Sequence, residues 1–157
     1  MIRHYEDFEV VITRQGDQLY ANLGAAPGGR NLAQPIPITP PDDRVDWAEA
    51  RQGRKSEAEL AELGHRLFDA VITGELATNW HACRGEIRQR PETGLRLRFS
   101  LQADALTEAP LELLCERTAP IQDFLALDPR TPIVRSPLHG TAVQERIITL
   151  PLKMLQS

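Results

Sequence analysis

The chain is poor in lysine, poor in cysteine and without a long apolar run. Two of its 157 residues are lysine, Lys55 and Lys153, and its formal charge is −4. A surface that grips a phosphate backbone needs clustered lysine and arginine, so this balance argues against nucleic acid as the main partner. Two cysteines, Cys83 and Cys115, are too few for a disulfide framework. Each lies in an apolar pattern that suits a small buried hydrophobe. No stretch approaches the roughly 20 apolar residues of a membrane span. The opening MIRHYEDFEV carries an acidic pair where a signal peptide would have its apolar centre. The expectation is a soluble, cytoplasmic protein without a membrane partner.

What remains is an ordinary globular composition in a chain long enough to bury one core, so a single domain over residues 1–157 is expected. In DFEVVIT, Phe8, Val10 and Ile12 alternate with polar neighbours and predict a strand. A Gly-Asp turn signal follows in RQGDQ, and Leu19, Ala21 and Leu23 alternate again, which makes an antiparallel hairpin. Residues 25–55 hold APGGRN and QPIPITPPDD and read as a long Pro- and Gly-rich surface loop, with Ile36 and Ile38 in a short edge strand. Gly24, Gly28 and Gly29 have the wrong spacing for a phosphate loop, and no cofactor is expected.

Ser56 and Glu59 have capping-box spacing, and Leu60, Leu63, Leu67, Phe68 and Val71 recur at helical spacing. A helix from Ser56 to Thr73 is expected, with Gly74 as its left-handed terminator. A second should run from Glu75 to Arg90 with Leu76, Trp80, Cys83 and Ile87 on one face, ended by Pro91. Leu95, Leu97, Phe99 and Leu101 alternate with Arg96, Arg98, Ser100 and Gln102 in the clearest strand. Leu111 to Cys115 suits a strand or a helical turn. Asp123 to Leu127 and Thr131 to Arg135 read as two short strands joined by a DPRT turn, and strand starts are expected at Gln144 to Leu150 and Leu152 to Leu155. The fold class is α+β: a hairpin, two helices, then several short strands in a mixed sheet.

Residues with reactive side chains do not form a familiar constellation. His81 and Cys83 on one helix point about 160° apart, a poor start for a metal site. Cys83 and Cys115 lack the exposed, electropositive setting of a nucleophile, and His139-Gly140 sits in a turn flanked by proline and glycine. His65, among charged neighbours, reads as solvated. No catalytic residue and no metal site are expected. The binding candidates are Arg96 and Arg98 on the polar side of one strand and Arg135 on another. They can meet an acidic partner or pair inside the fold with Glu112, Asp123 or Asp128, the second being the more ordinary outcome.

In order and spacing, YEDFEVVITRQGDQLYANL, ELGHRLFDAVITGEL, GLRLRFSL, APLELLCE and DFLALDPRTPIVRSP resemble the N-terminal section of a CHAT domain. This is the bacterial caspase-like cysteine peptidase domain often found beside tetratricopeptide repeats. The resemblance runs from Tyr5 to Leu155. Leu111 stands where the family typically has tryptophan, and the chain reaches Ser157 before the positions of the family's catalytic histidine and cysteine. The resemblance implies strands that flank a caspase-like sheet, with an edge or an apolar face left for a protein partner or a second copy. The expected role is a noncatalytic scaffold, adaptor or regulatory subunit. The alternative is a divergent or split cysteine peptidase completed in trans.

Overall fold

A computed structural model of the chain describes residues 1–102, 106, 108–116, 123–137 and 146–148. Strands β1 (His4–Gln15) and β2 (Gln18–Leu23) pair antiparallel, with Val10 opposite Leu23 and Gln15 opposite Gln18. Gly16, at φ 61°, makes the two-residue turn possible. Phe8, Val10, Ile12, Leu19, Ala21 and Leu23 all turn inward, as their alternation predicts.

β3 (Ile36–Ile38) adds antiparallel to β2. Residues 25–55 are not loop throughout, because α1 (Arg44–Arg51) forms within them. Its sequence signal is thin: eight residues, no side-chain cap, and one apolar pair, Trp47 and Ala50, one turn apart. So short a helix is marginal alone, and it is stabilised by burying that pair against its neighbour.

That neighbour is α2 (Glu57–Val71), which has the expected capping box: the amide of Glu59 donates to Ser56 Oγ, and the amide of Ser56 donates to Glu59 Oε1. These bonds hold the Glu59 carboxyl below its usual range. The chain then turns through Gly74, at φ 57°, into α3 (Gly74–Arg88). Leu76, Trp80, Cys83 and Ile87 are buried along one stripe of α3, and Trp80 meets Phe8 edge-to-face at 5.1 Å.

β4 (Thr93–Leu101) returns beside β1 in parallel, Phe8 opposite Leu97 and Val10 opposite Phe99. A parallel neighbour needs a crossover, which the three helices supply. The segment Leu111–Leu113 is a single 3₁₀ turn and leads into β5 (Cys115–Glu116). β6 (Asp123–Phe124) pairs with β5 in a separate two-stranded sheet that packs on α2. β7 (Ile133–Pro137) joins the main sheet parallel to β4. The two strands around the DPRT turn therefore belong to different sheets and are not a hairpin. A 3₁₀ turn at Leu125–Leu127 redirects the chain between them. β8 (Arg146–Ile148) closes the strand order β3-β2-β1-β4-β7-β8, antiparallel to β7. The segment Leu152 to Leu155 lies outside the described residues. The fold is α+β with a mixed sheet, as expected. Among the described residues, no helix is long and apolar enough to cross a membrane.

Candidate functional site

Strand alternation sends the odd residues of β1 and the even residues of β4 to the face away from the core. Parallel register then sets Asp7 beside Arg96 and Glu9 beside Arg98. Arg96 Nε lies 2.5 Å from Asp7 Oδ1, and Arg98 Nη2 lies 3.4 Å from Asp7 Oδ2. Ser100 Oγ donates to Glu9 Oε2 at 2.5 Å. The result is a ladder of two arginines and two carboxylates, charge-balanced from within the sheet. Asp7 and Arg96 keep 29% and 33% of their side-chain surface exposed.

Two of the three candidate arginines are thus brought together, and their acidic partner is Asp7. Arg135 is not with them. It stands in register with Phe99 and two residues from buried Ile133, which places it on the opposite face. There its guanidinium donates to the carbonyls of Ala109, at 2.9 Å, and Leu106, at 3.3 Å. Burial pushes its pKa down, opposed by the nearby charge of Glu112. Glu112 is therefore an electrostatic neighbour of Arg135. Asp128 serves a different arginine, and the side chain of Asp123 lies outside the described residues.

A second ionic cluster lies in the interior. Trp80 Nε1 donates to Glu116 Oε1, and Arg84 Nη1 sits 2.8 Å from Glu116 Oε2. Arg84 Nη2 reaches Asp128 Oδ2 at 3.7 Å, with its guanidinium carbon 5.7 Å from the Trp80 ring centroid. Arg84 and Glu116 are only 8% and 3% exposed. Desolvating this pair is costly, and the indole donor and the second carboxylate offset part of the cost. A signal for Arg84 existed: it lies four residues after Trp80, inside the apolar stripe that ends at Ile87. Nothing local marked Glu116 as its partner.

The reactive side chains divide differently from expectation in one respect. His65 is buried, 7% exposed, and is not a solvated residue. Gly64 explains why, since a Cβ there would come within 1.8 Å of the Leu113 carbonyl oxygen. That close approach brings α2 onto the Leu113–Cys115 backbone, and the His65 ring nitrogen Nδ1 then lies 2.9 Å from the Cys115 carbonyl oxygen. Both cysteines are buried. The imidazole meets the backbone of Cys115, and burial raises the Cys83 thiol above its ordinary range, the reverse of what a nucleophile needs. His81 is exposed while Cys83 is buried, as their opposed directions on the helix require. His139 and Gly140 lie outside the described residues. Among the described residues, no group of three or more histidine, cysteine or acidic side chains is placed to hold a metal ion.

The apolar face anticipated for a partner is absent among the described residues. α3 packs on β4, the inward residues of β1 and β4 are buried, the outer face is polar around Asp7 and Arg96, and Val134 is 2% exposed. Among the described residues, the large exposed hydrophobic ones, Met1, Val45 and Leu127, are scattered along the chain. The two ends of the sheet differ. At the β3 end Pro37 has no N–H to offer, and Pro35 and Pro40 flank the strand. At the β8 end the strand is Arg-Ile-Ile, and no strand among the described residues pairs with its far side. No family model matches this chain, and no curated protein or solved structure matches it either.

Proposed function

We propose that this chain is a noncatalytic N-terminal module of the CHAT type that acts through protein–protein contacts as a scaffold, adaptor or regulatory subunit. On this reading it works in the bacterial cytoplasm on a protein partner, with neither nucleic acid nor membrane involved. The observation that carries the reading is the asymmetry of the sheet. One end is blunted by prolines, and the other, which no strand among the described residues covers, is Arg-Ile-Ile without a proline. An edge of that kind accepts a strand from another protein, main-chain bonds giving affinity and side-chain pockets giving selectivity. The buried cysteines also support a noncatalytic role for the described part of the chain.

The test is to mix the purified chain with the products of its neighbouring genes and to measure mass by light scattering during size exclusion. A stoichiometric complex that Ile147→Pro abolishes is the expected result, since proline removes a donor from the β8 edge. A chain that elutes alone from every mixture overturns the proposal. Peptide cleavage lost on Cys83→Ala or Cys115→Ala would replace it with the split-peptidase reading.

A further inference from the structure

Arginines with donors to spare also stand away from the outer sheet face. Between the C-terminal half of α3, the start of β4 and the turn before β7 lies a hollow of about 170 Å³. Arg84, Arg88 and Arg130 line it, with Asp128 and Thr131 on the turn side and Ile87 and Leu95 as apolar wall. We propose that this hollow binds a small tetrahedral oxyanion, phosphate or a phosphate monoester.

The charge balance supports an anion. Asp128 is the one carboxylate on the lining, and both its oxygens are engaged. Oδ1 accepts from the Arg130 amide, and Oδ2 accepts from Thr131 Oγ1, each at 2.9 Å. Glu116 behind it is occupied by Trp80 and Arg84. Three guanidiniums against two carboxylates leave one positive charge uncompensated.

The donors are also placed. Arg130 is held still because its Nη2 donates to the carbonyls of Ile87, Arg90 and Thr93 at 3.0 to 3.1 Å. The bond to the Ile87 carbonyl lies in the last turn of α3 and screens the negative end of its dipole. Nε and Nη1 of Arg130 make no hydrogen bond among the described residues, so a guanidinium with open donors stands fixed at the rim. Arg88 is exposed and has no side-chain partner among the described residues. Arg84 adds charge from the floor. A guanidinium fork matches two oxygens of a phosphate group, which is why this residue type suits the ligand better than lysine would. Size sets the class of ligand: the hollow exceeds what one water needs and is smaller than pockets that take drug-sized molecules.

The experiment is a titration of the ¹⁵N-labelled full chain with inorganic phosphate and with O-phosphoserine, against sodium chloride at equal ionic strength. We expect saturable shifts of the Arg130 and Thr131 amide signals at millimolar ligand or below. Arg88→Ala should weaken binding at least fivefold with an unchanged melting curve, and Arg88→Lys should weaken it less. Saturation by inorganic phosphate alone assigns the free ion, and tighter binding of O-phosphoserine assigns a monoester. Shifts that chloride reproduces, or an affinity that Arg88→Ala leaves intact, overturn the proposal. Because the measurement uses the chain alone, its failure leaves the protein-contact reading standing.

Discussion

Two of the ionic clusters among the described residues are built on different principles. The outer one, Asp7 with Arg96 and Arg98, joins neighbouring strands whose register puts opposite charges side by side. The inner one, Trp80 and Arg84 with Glu116 and Asp128, joins a helix to the small second sheet and to the turn before β7. The outer cluster stays in partial contact with water, which screens it and keeps its net worth small. The inner pair is nearly dry, so each charge depends on its partner. Proximity alone therefore says little about what an ion pair contributes; its surroundings decide.

The sharpest way to break the comparison is Glu116→Gln. It leaves the Arg84 charge buried with only Asp128 nearby, and a loss of about 3–5 kcal/mol is expected in denaturant unfolding. Adding Arg84→Met should recover much of that loss, because the uncompensated charge is gone and the glutamine oxygen still accepts from Trp80. Recovery of less than a quarter would mean that the pair itself, and not its imbalance, stabilises the fold.

A somewhat smaller effect is expected from Gly64→Ala, which attacks the docking of the segment that carries Glu116. The added methyl meets the Leu113 carbonyl oxygen, and the strain of moving it should cost about 1–3 kcal/mol. Exchange protection at Cys115 and Glu116 should fall more than at the β1–β4 ladder. Equal loss at both places would show that the small sheet is not a separable unit.

On the outer face the corresponding effects should be slight. A double-mutant cycle on Asp7→Asn and Arg96→Ala should give a coupling of about 0.2–1 kcal/mol that shrinks in 1 M salt. A coupling as large as that of the inner pair would erase the distinction. The least effect belongs to the solvent-facing capping box. The Glu59 carboxyl is held below its unfolded value, so its contribution is present above the unfolded pKa and is lost as pH falls through the folded one. Glu59→Gln should therefore flatten the acid limb of stability slightly while leaving neutral pH nearly unchanged in shape, as read from urea midpoints between pH 6 and 3.

Several parts of this molecule were legible in the sequence because their causes lie within a few residues. Period two orients Phe8, Val10 and Ile12 and, in β4, Leu95, Leu97 and Phe99. Ser56 and Glu59 form their box because three residues of helix put each side chain at the other's amide. The helix Arg44–Arg51 was not legible, because its stability comes from what Trp47 and Ala50 bury against.

The candidate site follows the same division. That Arg96 and Arg98 share a polar face was readable from alternation; that Asp7 is their partner depends on the register of two strands 89 residues apart. Arg84 meets Glu116, and His65 meets the Cys115 carbonyl, only after α2 and α3 have packed, across 50 residues in the second case. The sequence by itself determined which way each side chain faces along its own strand or helix, since that is geometry of the local backbone. Which charges became neighbours, and whether water remains between them, was decided by the packing of distant elements against one another.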